Sequence, residues 1–216
     1  PGQIYQLVFV TRNAIEASSP LFSTYDNFVQ NEANAAGIGA SAGINWKAIV
    51  SVLGGQGSQG GAAIDHAKVV APVYTVTGDL IANGLSDLWD GQIRHRIDRS
   101  AAGELVEMPV WTGTSADGDI DTGTGDEDHL LGTSAPYVGL STAPTLGFPP
   151  EPNVPSWIQF SSNTLVSEEK KHLYALSGPL QVPTVPEPAS VLGWSAVIGL
   201  GLAVTAWRRR RASHSA

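Results

Sequence analysis

The chain contains no cysteine. That excludes disulfides, thiolate catalysis and cysteine-ligated metal, but it does not fix the compartment, because exported domains can fold without disulfides. Charge is scarce, at 15% of 216 residues, and positive charge is scarcer still, with 12 Lys and Arg against 20 Asp and Glu. Four of the 12 are consecutive, at Arg208, Arg209, Arg210 and Arg211, which leaves 8 for the rest of the chain. A body this acidic repels phosphate backbones, so nucleic acid is excluded as a partner. The five histidines, His66, His95, His129, His172 and His214, show neither His-Glu-x-x-His nor any paired metal-ligand spacing, and Gly-x-Ser-x-Gly is missing. The sequence thus spells neither a zinc-protease helix nor a serine-hydrolase elbow, and the expectation is a protein that is not an enzyme. A hydrolase with an unrecognised site, such as Asp65-His66 beside a distant serine, stays open as an alternative. The chain starts at Pro1 and reads as a mature chain or a fragment.

Glycine (24) and proline (14) are plentiful, and 42% of residues are hydrophobic. That suffices for one domain with a real core, built from short strands and many turns rather than a helical bundle. Apolar, β-branched residues predict strands over 4–10, 46–53, 108–114, 157–160 and 172–177, with an extended segment over 72–78. Residues 23–36 carry a helical stripe formed by Tyr25, Phe28, Val29 and Ala33, and Gly37 supplies the stop. Shorter helical turns are expected over 64–69 and within 81–89. Residues 54–61 read as a glycine-rich loop, and 115–155 as a long irregular region.

The end of the chain is organised differently. Residues 189–207 form an uncharged apolar stretch ending in Trp207, about long enough as a helix to cross a ~30 Å hydrocarbon core. Arg208, Arg209, Arg210 and Arg211 follow at once, and the positive-inside rule keeps them in the cytoplasm. Before the stretch stand Pro186, Glu187 and Pro188, presented by a proline-spaced extended linker. This order of parts resembles the bacterial PEP-CTERM protein-sorting signal. The resemblance implies recognition by an exosortase and cleavage near the motif. It also implies an inner-membrane precursor with its body outside the cytoplasm, ending at the cell surface or outside the cell.

A second resemblance spans the body. Leu7-Val-Phe-Val-Thr11, a helix ending in Ala35-Ala-Gly-Ile38, Trp46-Lys-Ala-Ile-Val-Ser51, Val110-Trp-Thr-Gly-Thr114 and His172-Leu-Tyr-Ala-Leu-Ser177 follow in order. The series resembles a bacterial surface domain of the C-type-lectin-like superfold. It implies an α+β class, with a small antiparallel sheet, one main helix, long loops and paired terminal strands. The family's usual cysteines would fall near Val29 and Ala175, so an apolar contact is implied in place of a disulfide. The expected organisation is a domain over 1–178, a linker with the Pro-Glu-Pro motif over 179–188, a transmembrane helix over 189–207 and a basic tail over 208–216.

Four further motifs each leave two readings. Gly55-Gln-Gly57-Ser-Gln-Gly60 matches a dinucleotide-binding pattern, but Pro72 arrives before a full helix, so a surface loop fits better. Asp117, Asp119, Asp121, Asp126 and Asp128 crowd carboxylates into one loop, which suits either Ca²⁺ or a solvated acidic turn. Glu151 and Asn153, flanking Pro152, match the sugar-binding triplet of animal C-type lectins, against ordinary proline turn chemistry. Arg94, Arg96 and Arg99 make the body's one basic patch, readable as solvated residues paired with nearby acids. The functional expectation is an exported surface or matrix protein with an adhesion or glycan-binding domain. The alternative is an envelope or exopolysaccharide-associated component without a specific ligand. Its partners would be an exosortase, membrane lipid through 189–207, and exopolysaccharide or another glycan.

Overall fold

A computed structural model of the chain describes residues 2–55, 58–120, 129–133, 136–141, 157–159 and 168–182. The chain divides into two units, Ile4–Gln181 and the two chain ends, Pro1–Gln3 with Val182–Ala216. The first is a sheet-rich, curled half-barrel.

The centre of the sheet is the longest strand, β10 (Lys170–Ser177). At Ala175 it pairs antiparallel with β1 (Ile4–Val10) through Phe9 on one side and with β3 (Trp46–Ala48) through Ala48 on the other. Outward from β1 lie β6 (Val73–Thr75) and β7 (Leu80–Ala82); outward from β10 lie β8 (Pro109–Trp111) and β9 (Val138–Leu140). The short strands β2 (Ile15–Glu16) and β11 (Leu180–Gln181) pair with β10 and β1. Side chains alternate between faces along a strand, and here both faces are buried. Val8, Val10, Tyr174 and Leu176 enter one core; Phe9, Leu173 and Ala175 enter the other. This double burial explains the uninterrupted apolar stretches 7–10 and 173–176 within the two strands.

Helix α1 (Phe22–Ala35) covers the second core with Tyr25, Val29 and Ala33. Its end is a Schellman turn: Ile38 N–H donates to Ala33 O (3.0 Å), Gly37 N–H donates to Asn34 O (3.1 Å), and Gly37 sits at φ +78°. Val29 and Ala175 are both fully buried in this core. The first core is closed by α3 (Leu85–Leu88) and by Trp89, Ile93, Ile97 and Trp157. Burial, and secondarily Asp98, raises the Tyr174 phenol in this core well above its usual pKa. The Tyr174 hydroxyl and the indole N–H groups of Trp89 and Trp157 have no hydrogen-bond partner among the described residues.

The structure corrects the α+β, C-type-lectin-like reading. The body is mostly sheet with few helices, and the sheet is mixed rather than antiparallel, because β1 pairs parallel with β6 and β10 parallel with β8. Among the described residues no helix is long and apolar enough to cross a membrane; the helix expected over 189–207 lies outside the described residues. The strand expected over 46–53 is broken in two. Ile49 N–H still bonds Tyr174 O of β10, but Ser51 N–H bonds Thr112 O, so the chain changes partner within two residues. It then enters β4 (Val52–Gly55), which forms a separate hairpin with β5 (Ser58–Gly61) where a loop was expected. Gly60 is needed there, since a Cβ would stand 2.2 Å from Leu53 O. Trp157 and Ile158 form a turn rather than a closing strand.

Candidate functional site: a cleft at the end of the central strand

Two strand ends and one helical turn meet at the C-terminal end of β10. The turn is α2 (Ala63–His66). It is held from below by Ser51 Oγ, which accepts from Ala63 N–H (2.8 Å), and by Gly118 O, which accepts from Ile64 N–H (3.0 Å). These bonds deliver His66 to the outer side of β3. There His66 Nε2 lies 2.9 Å from Asp26 Oδ1 of helix α1, and its ring stacks on Phe22 at 3.7 Å with the planes 13° apart.

Asp26 is one of three polar residues spaced four apart on α1. Its Oδ1 also accepts from Ala48 N–H (3.0 Å). Gln30 Oε1 accepts from Trp46 N–H (2.9 Å), and Asn34 Oδ1 accepts from Ala40 N–H (2.8 Å). Residues four apart share one helix face. Asp26 and Gln30 therefore take the place of a neighbouring strand along β3, supplying acceptors to an edge that would otherwise offer bare N–H groups, while Asn34 serves the short 3-10 turn Ala40–Ala42 that precedes it.

Between α2, β3 and the end of β10 opens a cleft of about 340 Å³. Its apolar wall comes from Ala67, Val70, Leu176 and Pro179; its polar rim comes from Asn45, Lys47, Asp65, His66 and Lys68. One buried residue fastens two of the walls together. Gln6, 1% exposed, donates through Nε2 to Lys68 O (3.1 Å) and Ser177 O (2.8 Å), while its Oε1 accepts from Val70 N–H (2.7 Å). The cleft is thus preformed by hydrogen bonds made from beneath it.

The cleft brings together His66, a carboxylate and a serine, the grouping that would favour a hydrolase. The details do not suit nucleophilic catalysis. The partner of His66 is Asp26, not its chain neighbour Asp65. Ser177 Oγ donates to Gly178 O (2.8 Å) and accepts from Leu7 N–H (2.8 Å), so it has no proton directed at an imidazole.

Of the carboxylates singled out as calcium ligands, Asp117 and Asp119 are described. They close a turn on themselves: Asp117 Oδ1 accepts from Ser115 Oγ and from Asp119 N–H, and Asp119 Oδ1 accepts from Ile120 N–H. The Ser115 bond holds the Asp117 carboxyl below its usual pKa. Asp121, Asp126 and Asp128 lie outside the described residues, as do Glu151, Asn153, Pro186, Glu187, Pro188 and Arg208, Arg209, Arg210 and Arg211. Among the described residues no group of three His, Asp or Glu side chains is placed to hold a metal ion. In the basic patch, Arg94 pairs with Asp87 (3.0 Å) and Arg99 with Asp98 (3.4 Å).

The cleft residues carried no motif in the sequence, whereas the tail did. Residues 184–211 match the family described as PEP-CTERM protein-sorting motif. The chain carries a PEP-CTERM tail. The match contains Pro186, Glu187, Pro188 and all four arginines, and it supports an exported surface protein sorted by an exosortase. No curated protein matches the chain.

Proposed function

We propose that the protein is made as a membrane-held precursor, is cut near Pro186, Glu187 and Pro188 by an exosortase-type enzyme, and reaches the cell surface as a domain that binds rather than catalyses. The match of residues 184–211 to the sorting motif carries the first part of this reading. The apolar stretch 189–207 would retain the precursor, and the arginines would hold its end inside, since each costs at least ~2.5 kcal/mol at mid-membrane on insertion scales. The second part is favoured by the engaged Ser177 hydroxyl beside a preformed cleft. Membrane fractionation with mass spectrometry of the mature C-terminus tests the sorting. Surface protein should end near the motif, and replacing Pro186 and Glu187 should trap uncut precursor in the membrane. Surface protein that still carries Arg211 would refute processing.

A further inference from the structure

We infer that the cleft between α2, β3 and the end of β10 is a binding site for a small carboxylate with an apolar body. The inference goes beyond the sorting reading and is tested independently of it. Three observations support it. The first is charge. In a chain of formal net charge −8, cations are few, and of the eight outside the C-terminal arginine run four face acids: Arg12 pairs with Glu104, Arg94 with Asp87, Arg99 with Asp98 and Lys171 with Glu169. Arg96 and Lys170 show no ion pair among the described residues but do not line the cleft. Lys47 and Lys68, both exposed at the rim of this cleft, have no ion-pair partner among the described residues. Two unpaired ammonium groups on an acidic protein create a local positive potential where the surroundings disfavour one, and an anion is the ligand that uses it.

The second observation is the wall. Val70, 64% exposed, stands with Ala67, Leu176 and Pro179 around a space of about 340 Å³. Small-ligand pockets start at about 300 Å³ and are lined mainly by apolar groups with a few placed polar ones. Leu176 lies opposite Lys47 in the β3–β10 register, so apolar wall and cation are adjacent. The third is preorganisation. Gln6 ties the segment carrying Lys68 and Val70 to the strand carrying Ser177, so binding need not order either wall. Asn45 holds the rim through its backbone, where its carbonyl accepts from Gly178 N–H (2.9 Å); its side-chain amide makes no hydrogen bond among the described residues and can donate to a carboxylate. Asp65 is the one opposing charge on the rim, and His66 is already paired with Asp26.

The test uses the ¹⁵N-labelled full chain in nanodiscs with three probes of one length: hexanoate, hexylammonium and hexanol. Hexanoate should shift the amides of Lys47, Ala67, Leu176 and Gly178 saturably, and hexylammonium should not. Replacing both lysines (Lys47→Gln with Lys68→Gln) should weaken hexanoate about tenfold, because two screened attractions are removed. Asp65→Asn should strengthen it about threefold, because one screened repulsion is removed. Equal binding of hexanol and hexanoate would overturn the inference, as would unmoved cleft amides or a double variant that binds as the parent does.

Discussion

Asp26 is expected to be worth more to this fold than an exposed helix aspartate usually is. In an Asp26→Ala variant, the buried strand residue Ala48 keeps its N–H but loses the only acceptor that N–H has among the described residues. An orphaned buried donor costs about 1–3 kcal/mol, and the lost His66 hydrogen bond adds about 0.5–1.5 kcal/mol. Alanine is the better helix former by up to ~0.7 kcal/mol, which offsets part of the loss. With the full offset, the net destabilisation is about 0.8–3.8 kcal/mol. For a body of this size each kcal/mol moves Tm by about 2–4 °C, so the melting point should fall by about 2–15 °C. Asp26→Asn keeps an oxygen where Oδ1 stands and should cost under ~1 kcal/mol. Asp26→Leu, which keeps bulk but not the acceptor, should behave like Ala. Thermal unfolding gives the ranking, and hydrogen exchange gives the cause: the Ala48 amide should lose protection in the Ala and Leu variants and keep it in Asn. Should Ala and Asn melt within about 1 °C of each other, with Ala48 equally protected in both, the polar stripe would not be the edge of β3.

Other outcomes follow from single sites. Thr112 Oγ1 donates to Ile158 O at 2.6 Å in a buried setting, so the near-isosteric Thr112→Val should cost about 1–3 kcal/mol in denaturant unfolding; a silent variant would mean that this carbonyl has another donor. Gly118→Ala places a Cβ 2.5 Å from the Trp89 ring at a φ of +80°, and both faults predict a loss of more than ~2 kcal/mol together with changed tryptophan fluorescence. Tyr174→Phe removes a buried hydroxyl with no partner among the described residues, so stability should hold or rise; a loss above ~2 kcal/mol would reveal a bonded hydroxyl. Hydrogen bonds lower the carboxyl pKa of Asp79, Asp87 and Asp117 in the folded state. Their contribution is present above the unfolded carboxyl value of about 3.9 and is lost as pH falls through the lower folded values. Asp87→Asn should therefore be less stable than the parent at neutral pH and converge with it in acid; a constant gap across that range would refute the linkage.

Elements with a strong local pattern were legible in the sequence. Strand β1 has the expected bounds, the helix expected over 23–36 runs over Phe22–Ala35, and Gly37 ends it in the geometry that only a left-handed residue allows cheaply. What failed depended on partners distant in the chain. Residues 46–53 are uniformly apolar enough for one strand, and nothing local marks the step from β10 to Thr112 as partner. The parallel pairings of β1 with β6 and of β10 with β8 likewise join segments far apart in sequence. Periodicity says which residues are buried, not which strand lies beside which, so an ordered set of strand-like segments could be read onto the wrong superfold.

The candidate site shows the same limit more sharply, because its key residues look unfavourable locally. Gln6 interrupts the apolar run Ile-Tyr-Gln-Leu-Val-Phe-Val on the face shared with the core residues Val8 and Val10, where polarity alone would argue for a place in solvent. It is instead buried to 1%, a placement tolerable only when a polar group is fully bonded. Gln6 meets that condition with three bonds to Lys68, Val70 and Ser177, residues separated from it by 62 to 171 positions. The residue that most weakens the strand pattern is thus the one that joins the cleft walls. Asp65-His66 misleads in the opposite direction: adjacency in the chain suggests a pair, but consecutive residues on a helical turn point apart, and the imidazole finds Asp26, 40 positions away. A signal was present in the Asp26, Gln30 and Asn34 spacing, three side chains that can accept hydrogen bonds, on one helix face beside an apolar stripe. Such a face can either meet solvent or receive backbone donors, and a search for a strand edge to receive it would have led to β3 and from there to the cleft.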